Sequence, residues 1–352
     1  MSKAHILFEN GIIVDVEANL NDFLVMGELV FNTSMTGYQE IITESTYASQ
    51  ILVLTYPLIG NYGIFKEMSE SNKVHISALI IKENSEIHID GVKSLSDYLL
   101  ENEIPCITGI DTRKLAKEIC KNGSQNCLIT TEKITDKHIK MLSDYVCPND
   151  LIEKVSTKEI VKYNSLKEIK ANIAIIDYGI KNSMISELTN VGANIVLYPH
   201  NTDVQNILFE NYDAIILSNG PEIHNECDID NIKKLIGKKD ILGIGIGAQI
   251  LALSVGMKLE KLKQCHRGCN YPIINTLNGK VTITNQNHSY TIDEKTLIES
   301  VKITYKNVND DTIEGFESKK LKIKGILYYP EEKIEKFYTD WIETICKEKQ
   351  NA

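Results

Sequence analysis

The sequence predicts an α/β protein in two parts: a β-rich N-terminal domain, then a domain with a mostly parallel central sheet flanked by helices. Three observations predict it. Residues 1–150 carry short β-branched runs broken by turn residues, the pattern of strands. Residues 171–352 alternate continuous apolar runs with helical periodicity, the pattern of a parallel sheet covered on both faces. A chain of 352 residues is also longer than one ordinary core requires.

In the first part, Ile6-Leu7-Phe8, Gly11 to Val16, Glu28 to Phe31, Ile51 to Tyr56 and Val74 to Lys82 read as strands. A helix is expected over Ser94 to Glu101, where Ser94 and Asp97 form a capping pair and Leu95, Tyr98 and Leu99 share a face. A second helix spans Thr112 to Lys121 and stops near Gly123. Cys147-Pro148-Asn149-Asp150 interrupts the pattern, and the polar stretch within 151–170 reads as a linker.

In the second part, strands are expected at Ile173 to Ile176, Ile195 to Tyr198, Ala214 to Leu217 and Ile241 to Ile244. Between them fall helices Lys181 to Asn190 (with Gly192 as its cap), Val204 to Phe209 and Ile229 to Ile236. Another helix starts near Gly247. Hairpins follow Gly256, with Asn278-Gly279 as a two-residue turn. A last strand, Ile323 to Tyr328, precedes a C-terminal helix over Glu332 to Lys347.

Composition narrows the function. The 48 acidic against 38 basic residues give a formal net charge of −10, which disfavours nucleic acid and anionic membrane surfaces as partners. No apolar stretch is long enough to span a bilayer, and the first residues lack a signal-peptide core, so a cytoplasmic location is expected. The 8 cysteines are too few for a disulfide framework in so long a chain and read as buried apolar groups.

Ligands in an open parallel sheet bind at the carboxyl ends of the strands. Three such ends stand out: Ser218-Asn219-Gly220-Pro221, Gly243 to Gln249, and Tyr328-Tyr329-Pro330-Glu331. The second has the strand–turn–helix order and flanking glycines of a nucleophile elbow, yet its central residue is Gly245, which has nothing to attack with. Gly243, Gly245 and Ala248 also fit a dinucleotide fingerprint, but late in the domain and with only Glu260 near the acidic position. Glycines serving helix–sheet packing alone are the bland alternative.

Phe31-Asn32-Thr33-Ser34-Met35-Thr36-Gly37-Tyr38-Gln39-Glu40 resembles the N-terminal signature of the carbamoyl phosphate synthase small subunit. So do Leu54 to Pro57, Gly60 to Gly63 and Gly109 to Arg113. From Asp177-Tyr178-Gly179 onward the chain resembles a class I, triad-type glutamine amidotransferase, through Ser218 to Pro221, His266-Arg267-Gly268 with Asn270 and Pro272, and Gln286-Asn287-His288. The resemblance implies a Cys–His–Glu triad that hydrolyses glutamine. The ammonia would pass to a large subunit that uses ATP, Mg and bicarbonate to make carbamoyl phosphate for arginine and pyrimidine synthesis. It implies no cofactor or metal in this chain, and a large-subunit partner in a heterodimer or a higher assembly. L-glutamine is a permitted ligand.

Carried over residue by residue, the resemblance puts the nucleophile at Gly245, the general base at Tyr329 and the acidic member at Glu331. Its glutamine pocket falls on Ser34, Gly220, Glu222, Ile246, Gln249, Asn287, Ser289 and Tyr290. Glu222 replaces a glycine of the oxyanion hole, and Ser289 replaces another glycine. Without a thiolate there is no attacking atom, and tyrosine is a poor base near neutrality because its phenol ionises near pH 10. The chain thus reads as a pseudoenzyme with an intact fold. Two alternatives are a glutamine-dependent subunit using another nucleophile, for which Cys227, Cys265 and Cys269 are the candidates, and a non-catalytic regulatory or glutamine-sensing paralogue. Cys265-His266-Arg267-Gly268-Cys269 faintly suggests zinc, but lacks a second ligand cluster nearby. His288 is expected to be structural.

Overall fold

The computed structural model describes residues 1–85, 89–222, 229–331 and 336–350. It divides into two units, Met1–Leu151 and Ile152–Ala352.

The strands of the first unit are β1 (Ser2–Phe8), β2 (Ile13–Ala18), β3 (Leu24–Asn32), β4 (Ile51–Leu54), β5 (Ala78–Ile80), β6 (Cys106–Thr108) and β7 (Gln125–Thr130). They close into a barrel in the order β1-β2-β6-β5-β4-β3-β7. Strand alternation sends Ile51 and Val53 to one core and Leu52 and Leu54 to another. Helix Leu95–Glu101 starts where the Ser94 side chain accepts from the Asp97 N–H, as the capping pair predicts. Helix Thr112–Asn122 starts on Asp111 and ends at Gly123. The signature residues hold this unit together. Tyr38 stacks on Tyr62 with ring centroids 4.2 Å apart, and the Tyr62 hydroxyl oxygen accepts the N–H groups of Gly37 and Tyr38. Gln39 brackets the backbone of Phe65, donating to its carbonyl and accepting from its N–H.

The second unit holds β8 (Val161–Tyr163), β9 (Ala171–Asp177), β10 (Ala193–Pro199), β11 (Ala214–Leu217), β12 (Asp240–Ile244), β13 (Leu259–Asn275), β14 (Val281–Ile292), β15 (Lys302–Asn307), β16 (Ile313–Ser318), β17 (Ile323–Ile326) and β18 (Tyr328–Tyr329). Their order is β18-β14-β13-β15-β16-β17-β12-β11-β9-β10-β8. Strands β10, β9, β11, β12 and β17 run parallel. Alternate residues of β9 serve opposite faces: Ile173 and Ile175 join one core, Ala174 and Ile176 the other.

Several details differ from the sequence expectation, among them that the expected strand Val74 to Lys82 is only Ala78–Ile80. The segment 151–170 contributes β8, which pairs antiparallel with β10. The helix from Ile229 stops at Lys233, and turns follow. Asn278-Gly279 sits inside a longer loop, 276–280, in which Gly279 takes φ 71° and its N–H reaches the Asn275 carbonyl. The last strand breaks at Leu327, whose N–H turns to the Glu314 carbonyl, so that Tyr328 and Tyr329 pair with β14 instead. The C-terminal helix is Phe337–Gln350, and residues 332–335 of its predicted span lie outside the described residues.

Candidate functional site

The elbow follows β12. Gly245 has φ 57° and ψ −117°, a sparsely populated backbone region, and helix Ile246–Ser254 starts directly after it. The Gly245 N–H donates to the Ile326 carbonyl at 2.8 Å, and the Gly247 N–H to the Ser218 carbonyl at 3.1 Å. The three glycines of this turn serve different ends. A Cβ on Gly247 would fall 2.0 Å from the Leu217 carbonyl oxygen, and one on Gly243 would fall 2.6 Å from the Gly247 oxygen. Those two exist for helix–sheet packing. A Cβ on Gly245 would meet nothing closer than Asn219 Cβ at 3.5 Å and Tyr329 Cε1 at 3.7 Å. The elbow thus keeps room for a side chain that the sequence does not supply.

Facing it are the ends of β9 and β11. Asp177 accepts the N–H groups of Gly179 and Ile180 at 2.8 Å each, and that of Thr157. Burial raises its pKa, and those N–H groups pull it back. Gly220 passes so close to the Tyr178 carbonyl that a Cβ there would lie 1.9 Å from its oxygen. Asn219 donates to the Gly179 carbonyl at 3.2 Å. Tyr329, at the predicted base position, is buried, and Lys181 holds its ammonium 4.7 Å from the ring centroid. Glu331 is exposed.

Most of the predicted pocket comes together on β14. The Glu222 carboxylate accepts the backbone N–H of Ser289 and lies 3.6 Å from the Arg267 guanidinium. Arg267 is buried and donates to Asn287 Oδ1 and to Ser289 Oγ. Gln249 donates to the Tyr290 carbonyl at 3.3 Å, and Ile246 is buried at the helix start. Ser34 belongs to the first unit, where its N–H donates to Asn32 Oδ1 at 2.8 Å. Cys265 is partly buried and Cys269 exposed, both on β13; Cys227 lies outside the described residues. Sequence reasoning placed Asn219 at a strand end but missed its packing against Gly245, the contact of Lys181 with Tyr329, and the anchoring role of Arg267. The only signal for Arg267 was its place beside His266 in a family motif.

The other face of β13 and β14 carries a second polar cluster. His266 and His288 are a cross-strand pair, and Glu314 of β16 is fully buried beside them. Burial opposes a charge on His266, but the carboxylates of Asp310 and Glu314 outweigh it and hold its pKa up at about 9. Burial likewise opposes charge on Asp310, and His266 overrides it, lowering that carboxyl to about 2. Glu314 is held ionised against its burial by the two histidines.

The carbamoyl-phosphate synthase small chain domain model matches residues 6–129, and the class-I glutamine amidotransferase model matches residues 174–348. The carbamoyl phosphate synthase small chain of Clostridium perfringens is 38% identical over 94% of this chain and 94% of its own length. That of Clostridium acetobutylicum is 39% identical over 87% of this chain and 88% of its own. That of Aquifex aeolicus is 40% identical over 87% of each. A barrel built on the N-terminal signature, an elbow at the end of β12 and relatives matched almost end to end place this chain in the carbamoyl phosphate synthase small chain family.

Proposed function

We propose that this chain is a small subunit whose glutaminase is lost, and that its large-chain partner draws on free ammonia to make carbamoyl phosphate for arginine and pyrimidine synthesis in the cytoplasm. The observation that carries the reading is Gly245: the elbow has its backbone geometry and no nucleophile. Losing the nucleophile of such a unit costs on the order of 10⁶ in turnover. Tyr329 compounds the loss, because a phenol, which ordinarily ionises near pH 10, is a poor general base near neutrality.

Glu222 adds a third defect. Its carboxylate already holds the Ser289 N–H and faces Arg267, among the positions that the resemblance assigns to glutamine. A second carboxylate brought to the same donors would meet a like charge in a buried site. That disfavours the glutamine-sensing alternative.

The test is nitrogen-donor preference. The chain, purified with its large-chain partner, is expected to support carbamoyl phosphate formation from ammonium and not from glutamine. Equal rates with the two donors would end the proposal. Calorimetry with the isolated chain is expected to show no heat of glutamine binding.

A further inference from the structure

The barrel of the first unit has parallel strands of its own. Strands β3, β4, β5 and β6 run parallel, each bonded to the next. The segments that leave their carboxyl ends carry much of the family signature: residues 33–40 after β3, 55–57 after β4 and 109–113 after β6. Backbone hydrogen bonds lace these ends into one rim. The Thr55 N–H donates to the Asn32 carbonyl at 3.2 Å, and the Gly109 N–H to the Lys82 carbonyl at 3.4 Å. Crevices outside the carboxyl ends of parallel strands are where ligands bind. We propose that the rim at the ends of β4, β5 and β6 binds a small molecule through its phosphate group.

A cavity of about 500 Å³ opens there, a size that suits a metabolite. Lys82 and Arg113 line it, both exposed, and neither side chain makes a hydrogen bond or ion pair among the described residues. Thr112 lines it as well and is only 2% exposed, yet its hydroxyl has no hydrogen-bond partner among the described residues. A buried hydroxyl is ordinarily paired, and the cavity is where this one finds room for a partner. Thr112 is also the first residue of helix Thr112–Asn122. The Asp111 carboxylate accepts the Lys114 N–H at 3.0 Å, so it is already engaged by the helix that it caps. The N–H groups of Thr112 and Arg113 have no intrahelical partner, and a helix start favours negative charge.

These groups select the ligand. An ammonium, a guanidinium, a hydroxyl and the backbone N–H groups of a helix start all donate, and Asp111 is the only acid lining the cavity. A ligand of the same polarity, rich in N–H groups or positively charged, finds no acceptor to match. A phosphate brings several acceptor oxygens and up to two negative charges, which Lys82 and Arg113 answer with charge-assisted hydrogen bonds. A lone phosphate leaves most of the volume empty, and Pro57 and Ile110 supply apolar wall for the rest of the molecule. This local surplus of positive charge stands against a chain whose formal net charge is −10. Every lining residue belongs to the first unit, so the site is independent of the chemistry lost at the elbow.

The test is calorimetric titration of the full chain with inorganic phosphate, and with acetate for comparison. Expected are one phosphate per chain and acetate binding weaker by about tenfold or more, since acetate brings one charge and fewer oxygens. Lys82→Ala and Arg113→Ala are each expected to weaken phosphate about tenfold or more, and Thr112→Val about three- to tenfold. Lys82 and Arg113 are exposed and unpaired, so melting curves of their variants without phosphate are expected to match wild type. Lys137→Ala, an exposed lysine outside the cavity, is expected to leave the affinity unchanged. Absence of saturable binding up to about 10 mM phosphate would overturn the proposal. So would an equal loss in Lys137→Ala, which would mean diffuse attraction to lysines. Loss of phosphate binding when the large-chain partner is added would also overturn it, giving the cavity to an acidic side chain of that partner.

Discussion

The elbow at Gly245 and the cluster on the far face of β13 and β14 belong to the same sheet and have opposite characters. The elbow keeps its backbone and lacks reactive side chains: φ 57° and ψ −117° persist, with glycine in the turn and tyrosine across from it. The cluster has two histidines and two carboxylates in contact, with Glu314 wholly out of water. The difference shows what each group does for the fold. The turn at Gly245 takes its strained geometry with no side chain to hold it, so that backbone does not depend on one. A buried carboxylate shared by two histidines leaves unpaired polar atoms when any member goes.

The sharpest way to break this comparison is to refill the elbow. Gly245→Cys fits sterically, since its Cβ meets only ordinary contacts. We expect glutamine hydrolysis to stay at background, because Tyr329 and Glu222 remain. Adding Tyr329→His and Glu222→Gly in the same chain is expected to raise hydrolysis by several orders of magnitude, out of the roughly 10⁶ that the triad supplies. Ammonia release from glutamine measures both. Substantial activity from the single change would mean that side chains at 222 and 329 do not block the site.

Next in size is the cluster. Glu314→Ala removes the shared partner of His266 and His288, and breaking a buried pair from one side costs about 3–5 kcal/mol. Urea unfolding followed by tryptophan fluorescence suits this, because Trp341, the sole tryptophan, lies in the same unit. A midpoint unchanged from wild type would show the cluster to be a passive surface of the sheet.

How far the sequence could foresee this contrast depends on distance along the chain. Helix Thr112–Asn122 is legible because its caps, Asp111 and Gly123, adjoin it. The elbow is legible because strand, glycines and helix are contiguous over Asp240–Ser254. The reach of Glu222 to the Ser289 amide joins segments that no local period connects. The same holds for the meeting of His266, His288 and Glu314, which come from β13, β14 and β16 and whose cross-strand register is shifted by irregularities between β13 and β14. The break at Leu327 is not legible because Ile323 to Tyr328 has no turn residue at its end; the Glu314 carbonyl and β14 divide it.

Smaller effects separate the glycines. Gly220→Ala drives a Cβ into the Tyr178 carbonyl and is expected to cost more than the usual 1–3 kcal/mol of overpacking, about 3 kcal/mol or above, because backbone has to move. Gly245→Ala has space, and its cost is that of positive φ alone, about 1–2 kcal/mol. Thermal unfolding of the pair ranks them. The reverse order would mean that the turn is held by strain and not by packing.

The smallest effect uses a histidine that lacks what His266 has. His75, in the first unit, is partly buried; its ring nitrogen contacts the Ser71 hydroxyl at 2.9 Å, where His266 has two carboxylates. Burial and the nearby Lys73 outweigh the attraction of Glu44 and lower its pKa to about 4, the opposite direction to His266. The unfolded chain, titrating at its ordinary 6.5, therefore binds a proton between pH 6.5 and 4 that the folded chain refuses. Stability is complete above pH 6.5 and falls as pH drops toward 4, by about 1 kcal/mol at pH 5.5. His75→Gln is expected to flatten that slope, read as the urea midpoint against pH. An unchanged slope would place the acid sensitivity elsewhere, and the contrast between a histidine facing a hydroxyl and one buried between carboxylates would lose its first half.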